Sequence, residues 1–133
     1  MTAFILDCSV TMSWCFEDEL GGYAASVLEA MRDAEVQVPS IWALEVANVL
    51  LVAERRRRIT PMASATFVRH LAGLPIVVAT GEHDSFDRVL PLARGARLSA
   101  YVALAQETGL PLAPQDRTMR GAARRVGVEL FAA

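Results

Sequence analysis

"FILDCS" (residues 4–9) runs three apolar residues into a carboxylate and then into two small side chains. The apolar part reads as a short buried strand, "AFIL" (3–6), and Asp7 stands just past its end. An acid there can cap a following helix, or it can be the first member of a metal site. The rest of the chain repeats the pattern. "VQVP" (36–39), "PIVVA" (75–79), "LPLAP" (110–114) and "VELF" (128–131) are further short apolar strands. Helical stretches separate them: "VTMSWCF" (10–16), "YAASVLEAMRDA" (23–34) with Ala25, Leu28 and Met31 on one side, and a helix from Ile41 to about Arg57 that Ser40 can cap. "PMASATFVRHLAG" (61–73) starts on Pro61 and ends on Gly73; "DSFDRVLPLARG" (84–95) is interrupted by Pro91; "LSAYVALAQETG" (98–109) and "DRTMRGAARRVG" (116–127) follow. Short apolar strands alternating with helices pair in parallel, with helices on both faces. The expected fold is one α/β domain over 1–133: a three-layer α/β/α arrangement around a central, mostly parallel sheet of about five strands.

The chain has 133 residues, 53% of them hydrophobic, which suits one domain with a sizeable core and argues against disorder. No apolar run approaches the roughly 20 residues that span a bilayer. The opening "MTAFILDCSV" has no basic segment and meets an acid at position 7, so it does not read as a signal peptide. No membrane association and a cytoplasmic location are expected. A net charge of −2 gives no global attraction to nucleic acid, so any such binding needs a local basic patch. All 13 basic residues are Arg, whose forked donors suit phosphate, although a GC-rich coding bias gives the same composition. Cys8 and Cys15 lie far in sequence from His70 and His83, which is not zinc spacing; two buried thiols are expected.

In open parallel sheets, sites form at the carboxyl ends of strands. Asp7 follows the first strand, and Asp116 follows "LPLAP" in the same way. A third acid stands out. In "IWALEVANVLLVA" (41–53), eleven of thirteen residues are apolar, and the exceptions, Glu45 and Asn48, are three apart on one face. A helix apolar all round is expected to be buried. A bare carboxylate in such a helix is costly unless it is paired, protonated or metal-bound; a one-turn solvent stripe is the plainer alternative. If Asp7, Glu45 and Asp116 converge, their mutual repulsion calls for a cation, and oxygen ligands without His or Cys select Mg²⁺ or Mn²⁺. Ser9 can either orient Asp7 or cap the next helix.

Three stretches together resemble the PIN domain, in particular the VapC-type toxins of bacterial toxin–antitoxin pairs: "FILDCSVTMSWCFEDE", "PSIWALEVANVLLVAERRRRIT" and "LSAY…ALAQETGLPLAPQDRTMRGAARRVGVEL". The resemblance covers essentially the whole chain in order. It implies a PIN-like fold and a Mg²⁺- or Mn²⁺-dependent endoribonuclease that forms a homodimer and is held inactive by a cognate VapB-like antitoxin. Carried over residue by residue, Asp7 matches the family's first acid, Glu45 the second and Asp116 the last, with Ser9 and Asn48 in support. One family acid has no match. The usual form resembles "LSAYDAAYLALA", whereas this chain reads "LSAYVALAQETG", so four residues of the type "DAAY" are absent after Tyr101. Four residues turn a helix by about 400°, close to one full turn, so the flanking faces stay nearly in phase while the acid is lost. Pro114 also stands where the family often has Thr. Asp84 and Asp87 read as surface acids, and Trp14, Phe16 and Trp42 as core or interface residues.

"ERRRRIT" (54–60) ends the Glu45 helix, where its arginines complement the helix C-terminus or grip RNA phosphates. Arg55, Arg56 and, beside Asp116, Arg117 are the candidate RNA contacts. Two function classes follow: a metal-dependent endoribonuclease toxin, or a PIN-fold binding module that engages antitoxin or RNA with impaired catalysis. A dinucleotide-binding enzyme is disfavoured because no Gly-rich loop follows the first strand.

Overall fold

Phe4, Ile5 and Leu6 are all fully buried. Successive strand residues point to opposite faces, so three buried in a row mark a strand covered on both sides. This is β1 (Thr2–Leu6), and it is central. The computed structural model describes residues 2–79, 101–114 and 117–132. After β1 come α1 (Cys8–Ser13), α2 (Gly22–Ala30), β2 (Ala34–Pro39), α3 (Ile41–Arg55), α4 (Pro61–Ala72) and β3 (Ile76–Ala79). Then follow α5, described over 101–108, β4 (Leu112–Ala113) and α6 (Arg117–Arg125). Single 3₁₀ turns occupy Glu17–Glu19 and Met31–Asp33. The helix expected over 84–95, with Asp84 and Asp87, lies outside the described residues, as does Asp116.

The fold is α/β. Among the described residues the sheet has the order β3-β2-β1-β4, and every pairing is parallel. Thr2 pairs with Ala34 and Val38 with Val78, while Leu6 meets Ala113 on the other side. Among the described residues the strand count is four, not about five. "VELF" contributes one parallel bridge, Leu112 to Leu130. The physical reason is a short neighbour and distant packing partners. β4 is two residues long and cannot extend a ladder, and the segment's last aromatic is drawn inward. Phe131 stacks on Phe4 with centroids 4.1 Å apart, and its carbonyl accepts the Tyr23 hydroxyl at 2.8 Å.

Two helices differ from their sequence reading. α2 buries Ala24 and Val27, followed by Met31, while Ala25 and Leu28 face outward. The helix also stops at Ala30 rather than Ala34. Pairing with Thr2 and Ala3 recruits Ala34 and Glu35 into β2 instead, so tertiary pairing overrides local helix preference. α3 is apolar on most sides but buries one face only: Trp42, Val46, Leu50 and Ala53. Leu44 is 61% exposed and Leu51 48%, so the expectation of an all-round buried helix fails. α5 buries Tyr101, Val102, Leu104 and Ala105 and ends at Gly109, whose φ of 70° is the left-handed conformation that closes helices. No helix among the described residues is long and apolar enough to cross a membrane.

Candidate functional site

β1 delivers Asp7 to the carboxyl edge of the sheet. Its φ of −82° and ψ of 148° make it the residue before α1, but its side chain does not cap that helix. Its carbonyl does the holding. It accepts the Thr11 N–H at 3.3 Å and the Thr11 hydroxyl at 3.2 Å. The carboxylate is fully buried, and Oδ2 accepts the Ser9 hydroxyl. Ser9 sits inside α1, which begins two residues earlier than its sequence reading, so Ser9 orients Asp7 and does not cap.

The same threonine ties in α3. The Trp42 indole N–H donates to Thr11 Oγ1 at 3.0 Å, both side chains buried. Trp42, Thr11 and the Asp7 carbonyl thus lock the first turn of α3 to the end of β1. Glu45 follows Trp42 by one turn and is half-buried. Its Oε1 accepts the Tyr101 hydroxyl at 2.8 Å. Tyr101, from α5, is fully buried. Burial pushes its phenol far above the ordinary tyrosine range; the negative charge of Glu45 adds to this, as do Cys8 and Asp7. The phenol therefore stays protonated and donates to Glu45. Asp7 and Glu45, 38 positions apart in sequence, both bear on this one ring.

A cavity of about 790 Å³ opens between α1 and α3. Along α3 its wall runs from Glu45 through Asn48, Val49 and Val52 to Arg56. The eleven steps from Glu45 to Arg56, at 1.5 Å each, make this wall about 16 Å long. Ser9 and Met12 line the opposite side. Glu45 and Asn48 do share one face, and that face lines the cavity. Cys15 does not line it; burial pushes its thiol up, with Arg58 opposing and Glu19 adding, and a protonated thiol is a poor nucleophile.

The four arginines at the end of α3, Arg55 to Arg58, have four different placements. Arg55 is exposed in the last turn, and Arg56 lines the cavity. Arg57 takes a φ of 58°, and the Arg58 N–H reaches back to the Ala53 carbonyl at 2.9 Å, closing the helix in a Schellman turn. Arg58 is then aimed at the segment after α1. Its Nη2 meets Asp18 Oδ1 at 2.9 Å and Oδ2 at 3.0 Å, Nη1 lies 3.7 Å from Glu19, and the guanidinium sits 4.3 Å over the Phe16 ring. Asp18 is 75% exposed, so solvent screens the ion pair and most of the gain comes from the ring contact. Arg58→Ala is expected to cost about 1 kcal/mol in urea unfolding and to speed proteolytic cleavage within residues 14–21. Unchanged cleavage there would show that the segment is held by other contacts.

Arg117 is exposed at the start of α6. Arg120 is committed to the fold: it donates to the Pro114 carbonyl at 3.3 Å and lies 5.0 Å over the Tyr23 ring. It thereby steadies the chain leaving β4. β4 runs beside β1, with the Asp7 N–H donating to the Ala113 carbonyl at 3.3 Å. Asp116 follows three residues later, outside the described residues. Directly after Tyr101 stands Val102, a core side chain 8% exposed.

The structure thus brings Ser9, Glu45 and Asn48 to one cavity, with Asp7 bonded to Ser9, and it adds Tyr101 and Arg58, which sequence reasoning did not select. Their signals are long-range pairings, to Glu45 and Asp18, that one sequence does not display. Among the described residues no group of three or more His, Cys, Asp or Glu side chains is assembled for a metal. The described acids are an oxygen-only pair, a donor type that suits Mg²⁺ or Mn²⁺ and not zinc.

No family model matches the chain, and no curated protein matches it. Among solved structures it is similar to a domain of a functionally unknown protein from Methanocaldococcus jannaschii DSM 2661. The TM-score is 0.59 at 16% identity, covering 100% of this chain and 91% of that one. At that identity the likeness speaks for the fold alone.

Proposed function

We propose that the chain is a PIN-type, Mg²⁺- or Mn²⁺-dependent endoribonuclease and the toxin of a type II toxin–antitoxin pair, acting in the cytoplasm. The observation that carries this proposal is that Ser9, bonded to the buried Asp7 at the end of β1, and Glu45 of α3, bonded to the buried Tyr101, line one cavity. The finer fold is then the three-layer α/β/α arrangement of that family. β1 and β4 run parallel and adjacent, so the chain leaves both at the same edge, which favours Asp116 as the third acid. Asp7, Glu45 and Asp116 would hold the cation, which when bound supplies charge stabilisation at a phosphodiester and an activated water. Ser9 sets the rotation of the Asp7 carboxylate. Arg56 faces the cavity and offers a forked phosphate contact, with Arg55 and Arg117 as outer contacts. The exposed apolar side of α3, around Leu44 and Leu51, offers surface for a second copy or a VapB-like antitoxin.

Val102 favours a second reading. A core side chain stands directly after Tyr101, next to where the family acid is missing. In this reading the chain is a PIN-fold module that binds RNA or antitoxin without turnover. End-labelled single-stranded RNA, incubated with the protein in Mg²⁺, Mn²⁺ or EDTA, separates the two. Cation-dependent cleavage that is lost in Asp116→Asn supports the nuclease. Binding without cleavage selects the module. Cleavage that persists in EDTA sinks the metal mechanism.

A further inference from the structure

Glu45 has three side-chain torsions, is half-buried, and lines the same cavity as Ser9, the hydrogen-bond donor to Asp7. Such a side chain has several rotamers open to it. Something must hold it in place. One residue in contact with it is Tyr101, which is fully buried on α5 and so has its ring fixed by packing. A buried hydroxyl costs free energy unless it is bonded, and phenylalanine would fill the same space without that cost. The hydroxyl of Tyr101 donates to Glu45 Oε1 at 2.8 Å across 56 residues of sequence. Ser9 does the equivalent for Asp7. The two acids are thus each fixed by a hydroxyl, one from α1 and one from α5.

We infer that Tyr101 is a positioning residue of the site: anchored in the core, it holds the Glu45 carboxylate beside Asp7 so that the two act on one cation. This rests on the metal-site proposal above and adds to it a residue that touches neither substrate nor cation. In this chain, where the family acid after Tyr101 is absent, the phenol is α5's contribution to the site.

The test is a double-mutant cycle read by electron paramagnetic resonance of unbound Mn²⁺, using the full chain as wild type, Tyr101→Phe, Glu45→Gln and the double variant. Circular dichroism and a thermal melt check that each is folded; Phe keeps the ring, so core packing is retained. Tyr101→Phe is expected to weaken Mn²⁺ about 10-fold, the usual scale for removing a group that orients a ligand. In the Glu45→Gln background the same change is expected to do nothing more. A merely structural role would weaken both backgrounds equally, and that result overturns the inference. So does Tyr101→Phe binding like wild type while Glu45→Gln binds weakly. Equal Mn²⁺ binding by wild type and Glu45→Gln removes the metal-site proposal itself, and the inference falls with it.

Discussion

Asp7→Asn is expected to lower cation-dependent RNA cleavage by about 10²–10³-fold, the scale of losing one preorganised electrostatic group, while making the cation-free protein more stable. The two effects have opposite signs for one reason. Asp7 is fully buried, and its hydrogen-bond partner Ser9 lines the same cavity as Glu45. A desolvated charge destabilises the folded state. Asparagine has the same shape, can still accept from Ser9, and leaves the Thr11 bonds to the backbone carbonyl intact. In EDTA the variant is therefore expected to gain about 1 kcal/mol, or roughly 3–5 °C in Tm. With Mn²⁺ at about 100 times its Kd, wild type gains about 2.7 kcal/mol that the variant lacks, so the order of stabilities inverts. Scanning calorimetry in EDTA and in Mn²⁺, beside a gel cleavage assay, reads all three quantities. An Asp7→Asn protein that cleaves like wild type would remove Asp7 from the chemistry. A variant less stable in EDTA would show that Asp7 serves the fold.

Features carried by local pattern were legible in the sequence. Asp7 at a strand end follows from three apolar residues running into an acid, and the Glu45–Asn48 face follows from helical spacing. The parallel sheet follows from strands too short to need anything but helical connections. What was not legible depends on partners far along the chain. "VELF" has the composition of a strand, but Phe131 is captured by Phe4 and Tyr23, leaving one bridge. α2 buries Ala24 and Val27 where the sequence spacing pointed to Ala25 and Leu28, and a 3₁₀ turn over Met31–Asp33 precedes β2. "RRRR" looks uniform, yet the turn at Arg57 sends Arg56 to the cavity and Arg58 to Asp18. In the sequence Tyr101 is only the landmark before a gap, and its bond to Glu45 exists once α3 and α5 are brought together.

Val102→Asp puts an acid directly after Tyr101, but it is expected to unfold the protein in part rather than restore a ligand. Val102 is 8% exposed, and its helix neighbours Leu104 and Ala105 are buried too. Aspartate is close to valine in size, so the cost is electrostatic: about 3–4 kcal/mol for a carboxylate in a core, or roughly 10 °C or more in Tm. The pH dependence identifies the cause. Burial raises the folded-state pKa of such an acid, so the penalty is full at neutral pH and shrinks as pH falls towards the unfolded value of about 3.9. Inserting Asp-Ala-Ala-Tyr between Tyr101 and Val102 is different in kind. The added turn of about 400° returns Val102, Leu104 and Ala105 to within about 40° of their buried face. The insertion variant is expected to melt well above Val102→Asp, and to bind Mn²⁺ and cleave RNA about 10-fold better than wild type, if the absent acid limits the site. Equal activity in the insertion variant and wild type would show that the site does not need that acid. A Val102→Asp protein as stable as wild type at neutral pH would show that position 102 tolerates a charge, leaving no core reason for the valine.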